Sequence, residues 1–354
     1  LPPGPPMIDP HVHLRDWNLS AKETLAHGLL VAERSGFTAV IDMPNTDPPL
    51  TTKARIIKRI EAANRTKRNV SYHLWAGVTG DPAQIDEVVK SCEELFPSVV
   101  GLKLFAGHST GNMGLVEEEI QGRVYHHLAR RNYTGVVAIH CEKEALLRPE
   151  LYDNADLSTQ SLARPPEAEV ASIRDQLSLS KEAGFAGHLH IAHLSTIEGL
   201  LLVEGAKREG RRISCGVTPH HLLLNRDMAK DRRLYAKMNP PLRDEETRKK
   251  LFEALLEGRI DWIESDHAPH TIADKETGAS GIPGFSGMLL LLKVLYEHGL
   301  SRGMMQSLFG GNVQGTLKLP PREIVLPSYE ALPPLIAAAS GEYPYDSFRG
   351  LFQS

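Results

Sequence analysis

Short runs of β-branched and other apolar residues alternate along the chain with longer stretches whose apolar positions repeat at helical spacing. Eight such runs predict strands at 7–14, 37–43, 70–78, 99–105, 135–141, 188–194, 212–218 and 260–265. The other stretches predict helices at 22–34, 53–64, 82–96, 117–131, 166–183, 197–209, 245–257, 288–298 and 304–309. This alternation is typical of parallel sheets covered by helices, so it predicts an α/β fold of the (β/α)8 TIM-barrel class.

The same pattern divides the chain into three parts. The barrel is expected at 7–319, and the proline-rich residues 1–6 are interpreted as an N-terminal linker. Five prolines lie between 320 and 334, and the tail beyond them has little periodicity. Residues 320–354 are therefore expected to form an irregular C-terminal extension packed on the barrel.

Composition narrows the range of functions. The 354 residues carry 44 acidic and 40 basic side chains, dispersed along the chain, for a net charge of −4. Such a balance offers no basic surface for nucleic acid or an anionic membrane, so a small-molecule substrate is expected. The longest apolar run, 288–292, is too short to span a bilayer, and no signal-peptide pattern opens the sequence. Three widely spaced cysteines favour reduced thiols and a cytoplasmic location.

Side chains that can bind metals fall at the predicted strand ends. His11 and His13 are one residue apart in an extended stretch, so their side chains point to the same side. The ends of strands four, five, six and eight carry Lys103, His140, His193 and Asp266. In a TIM barrel these ends form the catalytic mouth, so all six side chains are expected to converge.

These side chains suit a centre with two metal ions. Imidazole nitrogens and carboxylate oxygens are ligands for zinc and similar ions, and two ions would require an anionic bridge. An ammonium group at Lys103 would be repelled by the cations, so its amine should be neutral. A neutral lysine amine can react with carbon dioxide to form a carbamate anion. Carboxylated Lys103 could then bridge the two ions, with a shared hydroxide as the second bridge.

Six ordered segments resemble dihydroorotase of the amidohydrolase superfamily. They are 9–15 (DPHVHLR), 42–46 (DMPNT), 101–105 (GLKLF), 218–222 (TPHHL), 239–243 (NPPLR) and 265–270 (SDHAPH). The resemblance extends over roughly residues 7–315 in the family's order. It implies a binuclear zinc enzyme that reversibly cyclises N-carbamoyl-L-aspartate to L-dihydroorotate in de novo pyrimidine biosynthesis.

The resemblance also implies how the ligands are shared between the ions. His11, His13 and Asp266 would hold the more buried zinc ion. His140 and His193 would hold the more exposed one, and Lys103 would bridge them. Asp266 would also be the catalytic proton shuttle, which takes a proton from the attacking hydroxide and delivers it to the leaving nitrogen.

A second set of residues would recognise the substrate. By the same resemblance, Arg15, Asn45 and His270 would bind the substrate carboxylate, because a planar guanidinium can bind both carboxylate oxygens. Asn239 would lie near the pyrimidine ring.

Backbone groups and a lid would complete the substrate site. The backbone at Pro283 and Gly284 would bond the ring edge. The glycine-rich segment 106–114 is expected to be a mobile lid, from which Thr110 would close over the substrate.

The sequence departs from the family in two places. Many relatives carry a small β-sandwich beside the barrel, and here it is expected to be missing or vestigial. The glutamate-proline-glycine that often follows the arginine is replaced by residues 16–18 (DWN), which would alter the rim of the mouth. Some relatives use aspartate on strand four, and Lys103 favours the carbamate-bridged type.

Two alternatives remain open. Hydantoinases and allantoinases share the metal cage but typically lack an arginine at the position of Arg15. A catalytically inactive barrel could instead serve as a scaffold for aspartate carbamoyltransferase. A homodimer is expected, and association with aspartate carbamoyltransferase is a further partner interaction to test.

Overall fold

In the computed structural model, which describes residues 7–109 and 111–351, eight parallel strands form one sheet in chain order. The strands are β1 Met7–Val12, β2 Phe37–Asp42, β3 Ser71–Gly77, β4 Val99–Ala106, β5 Val136–Cys141, β6 His188–Ile191, β7 Ile213–Val217 and β8 Trp262–Ile263. Beyond β8, His267 forms a parallel bridge with Val12 and accepts a 2.7 Å hydrogen bond from the backbone N–H of His13. These contacts bring the two edges of the sheet together, and the predicted (β/α)8 barrel is confirmed.

Helices follow the strands and surround the sheet. Over the described residues they are α1 Leu25–Arg34, α2 Lys53–Arg65, α3 Pro82–Glu94, α4 Glu118–Arg130, α5 Gln160–Ala163, α6 Pro166–Glu182, α7 Ile197–Arg208, α8 Pro219–Leu223, α9 Arg226–Arg232, α10 Glu245–Leu256, α11 Ile272–Glu276, α12 Phe285–Glu297, α13 Arg302–Gln306, α14 Asn312–Leu317 and α15 Leu332–Gly341. A π-helical turn, Ser307–Gly311, joins α13 to α14.

N-terminal caps explain where several helices begin. The side chains of Thr24, Thr52 and Asp244 accept hydrogen bonds from backbone N–H groups in the first turns of α1, α2 and α10. The helix α1 was expected to begin at residue 22, but it begins at Leu25 because the cap residue Thr24 has an extended backbone.

Five strands, β1, β4, β5, β7 and β8, are buried along their whole length. Burial of both faces is expected where helices cover a parallel sheet. The exceptions to an apolar interior are polar side chains such as Asp9 and Lys103, both fully buried. Since buried polar groups are costly unless they have partners, these positions indicate a site rather than packing.

The C-terminal extension differs from the irregular path expected for it. Part of it is the helix α15, whose first turn contains Pro333 and Pro334. Proline is well tolerated there, because N–H groups in the first turn have no partner within the helix. The helix packs against α12, and its residues Leu332 and Ile336 are buried. The proposed linker at 1–6 lies outside the described residues.

Other features of the described chain bear on the expected class of protein. All eight strands belong to the barrel, and residues 7–109 and 111–351 contain no second sheet. None of the helices in these ranges has the length and apolar character needed to cross a bilayer. Cys92, Cys141 and Cys215 are free thiols, as predicted.

A buried ion pair connects α2 to the sheet. Arg59 donates to an oxygen of Asp42 at 2.7 Å, and the hydroxyl of Tyr72 donates to the same oxygen at 2.7 Å. The other oxygen of Asp42 accepts from the backbone N–H of Leu14 at 3.0 Å. Arg59 and Asp42 are fully buried. The cluster therefore holds β2, β3 and α2 against the end of β1, the strand that carries His11.

The substitution Arg59→Met is expected to reduce the free energy of unfolding by about 3–5 kcal/mol, because it leaves the Asp42 carboxylate buried without its cation. Urea denaturation measures the loss. Arg55→Met on the same helix is the control, since Arg55 is only partly buried and donates to the carbonyl of Pro49. It should cost about 1 kcal/mol. Equal losses in the two variants would contradict the role assigned to the buried pair.

Candidate active site

The four predicted histidine ligands lie together at the carboxyl end of the barrel. The ring centroids of His11 and His13 are 5.3 Å apart, and those of His11 and His193 are 5.2 Å apart. The ring of His140 is 4.8 Å from that of His193. Asp266 joins the group, because its Oδ1 lies 3.3 Å from Nε2 of His11 and 3.0 Å from Nε2 of His13. Five of the six side chains that were predicted to converge therefore lie together in the structure.

Lys103 lies inside β4, opposite Gly77 and Ala138 of the neighbouring strands. Its side chain is fully buried, and its Nζ has no hydrogen-bond partner among the described residues. Burial lowers the pKa of Lys103 to about 8, although Glu264 and Asp266 favour its charged form. A larger fraction of the amine is therefore neutral near pH 7 than in an ordinary lysine, as carbamate formation requires.

Three site residues have left-handed backbone conformations that side chains other than glycine rarely adopt. Their φ angles are 43° for Arg15, 37° for His193 and 49° for Asp266. Such conformations cost on the order of 1–3 kcal/mol each, and they persist only where the surroundings hold them. Their occurrence at three positions of one rim is typical of a functional site.

Acceptor groups outside the cluster determine which nitrogen of a ring carries the proton. Nδ1 of His13 lies 2.6 Å from Oδ1 of Asn45. Nε2 of His140 lies 3.0 Å from a carboxylate oxygen of Glu142, which also accepts from Arg164 at 2.6 Å. In a neutral ring, the nitrogen that bonds to this outer acceptor carries the proton, so the opposite nitrogen presents its lone pair to the cluster.

These lone pairs face other electron-rich atoms. Nε2 of His13 points at the carboxylate of Asp266, and Nδ1 of His140 lies 3.1 Å from Nε2 of His193. A lone pair and a carboxylate oxygen at this distance repel each other unless a proton or a metal ion lies between them. His11, His13 and Asp266 offer ligand atoms that all lie within 4.8 Å of one another. The residues therefore fit a bound divalent cation.

The charges of these groups support the same conclusion. Burial and the charge of the nearby Lys103 together lower the pKa of His11 to about 4. Burial and the neighbouring His140 hold the pKa of His193 far below its usual range. Burial opposes ionisation of Asp266, but its contacts with His13 and His11 keep the pKa of this carboxyl well below the usual value. At neutral pH His11 and His193 are thus neutral imidazoles and Asp266 is an ionised carboxylate, which are the forms that bind metals.

Arg15 lies beside the cluster with its guanidinium buried. Its Nε donates to the carbonyl of Pro269 at 3.1 Å, and one terminal nitrogen lies 3.1 Å from Nε2 of His270. The ammonium of Lys22 can only donate, so Nδ1 of His270, 3.2 Å away, accepts, and Nε2–H donates to the carbonyl of Ser280 at 2.9 Å. His270 therefore offers Arg15 no acceptor, and the guanidinium can donate to a ligand.

A cleft of about 360 Å³ opens over these groups. Asn45 and Asn239 line it together with Arg15 and the metal-ligand cluster, as expected for substrate contacts. Oδ1 of Asn239 accepts from Gln160 at 3.0 Å. His270 does not line the cleft but lies behind Arg15, so any effect it has on a substrate passes through the guanidinium.

The structure does not bring Pro283 and Gly284 to the cleft. The N–H of Gly284 donates to Nδ1 of His267 at 3.1 Å, which turns this segment toward the barrel interior. Ser280 and Gly281 line the cleft on this side instead. Pro283 and Gly284 therefore do not line the cleft in this structure, and the contact of their backbone with a ring edge stays a prediction.

The expected lid is described only in part. Thr110 lies outside the described residues. Of its neighbours, Ser109 lines the cleft, and Gly111 and Met113 line an adjoining pocket that also contains Arg15.

Several groups that hold site residues in place were not predicted from the sequence, among them Glu142, Lys22 and Glu264. Glu142 had a sequence signal, because it follows His140 by two residues and therefore points to the same side of an extended chain. Lys22 and Glu264 had none, since a lysine near a helix start and a glutamate after a strand are common.

Comparisons with known proteins agree with this geometry. A family model described as Dihydro-orotase-like matches residues 3–95. The chain is 34% identical over 309 residues to the dihydroorotase of Bacillus caldolyticus, a match that covers 85% of this chain and 68% of that protein. It is 37% identical over 296 residues to the dihydroorotase of Halobacterium salinarum, covering 81% of this chain and 65% of the relative. The chain is also 38% identical over 292 residues to the dihydroorotase of Pyrococcus horikoshii, a match that covers 81% of this chain and 60% of that protein.

The chain belongs to the dihydroorotase family. It spans about 60–68% of the length of these curated dihydroorotases. Among solved structures, an L-hydantoinase (dihydropyrimidinase) from Arthrobacter aurescens superposes with a TM-score of 0.80 at 26% identity, covering 91% of this chain and 73% of that one. A dihydropyrimidinase from Brevibacillus agri superposes with a TM-score of 0.78 at 20% identity, covering 91% of this chain and 73% of that one. This second structure has the same fold.

His13→Ala is expected to weaken metal binding by more than about 100-fold, because loss of a ligand should exceed the 10- to 100-fold effect of losing an outer partner. Chelator competition, followed by elemental analysis, measures the affinity. His27→Ala, on the partly exposed face of α1, is the control and should bind metal as the unmodified chain does. Unchanged affinity in His13→Ala would rule out its role as a ligand.

Proposed function

We propose that this protein is a dihydroorotase, which reversibly cyclises N-carbamoyl-L-aspartate to L-dihydroorotate. The similarity to curated dihydroorotases over most of this chain supports the proposal. The observation that carries it is Arg15, a buried guanidinium that lines the same cleft as the metal-ligand cluster. A substrate that joins a carboxylate to a cyclisable amide satisfies both features.

The proposal includes two zinc ions. His11, His13 and Asp266 would hold one ion and His140 and His193 the other, with carboxylated Lys103 as the bridge. The facing lone pairs and the unpartnered Nζ of Lys103 support this assignment. When bound, zinc supplies Lewis-acid polarisation of an amide carbonyl.

Asp266 is proposed to move the proton. Its carboxyl stays ionised at neutral pH, so it begins each reaction as a base. In hydrolysis it takes a proton from the attacking water and delivers it to the leaving ring nitrogen. In cyclisation it removes the proton of the attacking ureido nitrogen, as microscopic reversibility requires.

Arg15 is proposed to bind the substrate carboxylate and so to set the position of the reacting amide. The bond from its Nε to Pro269 holds the guanidinium plane, and its remaining N–H groups can donate to both carboxylate oxygens. His270, kept neutral by burial and by the nearby Arg15 and Lys22, does not compete for the carboxylate. Asn45 and Asn239 would contact the substrate from the cleft wall, and Thr110 would close over it.

A hydantoinase-type cyclic amide hydrolase is the second candidate, favoured by the L-hydantoinase among the similar structures. It would use the same ligand cluster but would leave the buried guanidinium of Arg15 without a carboxylate. An inactive scaffold is the third, although all six expected ligand positions are filled here. A cytoplasmic location, a homodimer and association with aspartate carbamoyltransferase stay predictions.

The deciding experiment supplies the zinc-loaded protein with dihydroorotate, hydantoin and allantoin in parallel, and assays carbamoyl-aspartate in the reverse direction. We expect turnover of dihydroorotate and carbamoyl-aspartate. Arg15→Met should raise KM for both about 10- to 150-fold, because a hydrogen bond to a charged group contributes about 1.5–3 kcal/mol. Arg34→Met on α1, where the arginine is exposed, is the control. Preference for hydantoin, or no turnover by a zinc-loaded chain, would overturn the proposal.

Asp266→Asn should lower kcat about 10²- to 10⁴-fold in both directions, the usual contribution of general acid–base catalysis, with a small change in KM. The amide keeps an oxygen toward the ligand cluster, so much of the zinc should remain bound, as elemental analysis would record. Asp261→Asn, at a partly exposed ion pair with Lys207, is the control. A kcat near that of the unmodified protein would exclude Asp266 as the proton carrier.

A further inference from the structure

A buried carboxylate beneath the metal-ligand cluster has no role in the mechanism above. Glu264 follows β8 directly and is 1% exposed. It does not line the cleft, so it cannot touch a substrate. An isolated buried charge would be very costly, which raises the question of what it stabilises.

Each oxygen of Glu264 faces two nitrogen atoms. Oε1 accepts from the backbone N–H of His193 at 2.5 Å and lies 3.4 Å from Nδ1 of His11. Oε2 accepts from the indole N–H of Trp262 at 3.0 Å and lies 3.1 Å from Nε2 of His190. A backbone N–H and an indole N–H can only donate, so both oxygens must be acceptors. The site is therefore built for a carboxylate and not for an amide.

The neighbouring strand makes room for this carboxylate. Gly216 lies on β7, and a Cβ at this position would be 2.4 Å from Oε2 of Glu264. Any larger side chain would displace the carboxylate, because real Cβ contacts are not this short. The glycine and the glutamate thus form one packing unit.

We propose that Glu264 is a positioning residue for the metal centre, and this inference rests on the proposed function. Through Oε1 it holds the strained backbone of His193, whose φ is 37°. The contact with His11 is longer than an ordinary hydrogen bond, so the carboxylate acts there through its charge and favours the proton on Nδ1. Nε2 of His11 is then left with its lone pair toward Asp266 and the metal.

This arrangement connects the two halves of the centre. His11 is assigned to one ion and His193 to the other, and one oxygen atom of Glu264 contacts both residues. The carboxylate would also place a negative charge beside two divalent cations, whose charge Asp266 and a carbamate would neutralise only in part. Outer groups of this kind commonly change metal affinity 10- to 100-fold.

The test measures zinc affinity of Glu264→Gln by chelator competition on metal-free protein, with the visible spectrum of the cobalt-substituted form as a second readout. We expect affinity to fall about 10- to 100-fold, together with a changed cobalt spectrum. Glu204→Gln is the matched carboxylate-to-amide control. Glu204 lies on α7 and forms a partly exposed ion pair with Arg259. Far-UV circular dichroism and the Tm of the metal-free variants report whether the fold is kept.

A second substitution separates positioning from charge. In Glu264→Gln the amide NH₂ group must face either the backbone N–H of His193 or the indole N–H of Trp262. Since both of these groups are donors, one hydrogen bond is lost in either orientation. Adding Trp262→Phe removes the indole donor. Nε2 of His190 can then accept from the NH₂ group of the glutamine, because the ring proton can move to Nδ1 of His190 and be donated to the hydroxyl of Ser214. The amide oxygen can then stay on His193. The double variant should therefore recover the native cobalt spectrum, while zinc affinity stays below that of Trp262→Phe alone.

The outcomes are distinguishable. If the unmodified protein binds zinc and turns over dihydroorotate while Glu264→Gln matches it in affinity and spectrum, this inference is wrong and the proposed function stands. A lower Tm of the metal-free variant with unchanged zinc affinity would also contradict the inference, because Glu264 would then stabilise the fold without affecting the metal centre. If the unmodified protein takes up no zinc, the proposed function fails, and this inference fails with it.

Discussion

The structure depends on one electrostatic constraint, which is that electron-rich atoms are held close together in a buried rim. The carboxylate of Asp266 faces ring nitrogens of His11 and His13, and His140 faces His193. In water such groups would turn away from one another. Here the strands fix their Cα positions, so a metal ion bound among these atoms would relieve the repulsion between their lone pairs. The metal centre is therefore a consequence of barrel geometry as much as of residue type.

A ring of acceptors around the ligands makes this constraint specific. Asn45 follows β2, Glu142 follows β5 and Glu264 follows β8, and each faces a ring nitrogen of a different histidine. Because parallel strands all end at the same rim, side chains just past their ends can surround one point from several directions. The acceptors orient the rings and keep lone pairs directed inward, as outer groups at metal sites generally do.

The other side of the cleft has the opposite charge. Arg15 is buried beside His270 and Lys22, and burial together with these cations keeps the imidazole neutral. The guanidinium thus retains its affinity for an anion, while the ligand cluster in the same cleft suits a polarisable carbonyl. A carboxylate at a fixed distance from an amide is the ligand chemistry that such a cleft selects.

The sequence alone determined the eightfold alternation, the positions of the six ligand-type side chains and the arginine beside them. These features are local, since a strand's period and its end can be recognised within about ten residues. The tertiary structure decided what no local pattern contains. It placed Glu264 under two ligands from other strands, turned Gly284 toward His267 and brought Lys22 to His270. It also made a helix of Leu332–Gly341, where prolines suggested an irregular chain. Such contacts join residues up to about 250 positions apart, and only closure of the barrel brings them within hydrogen-bond distance.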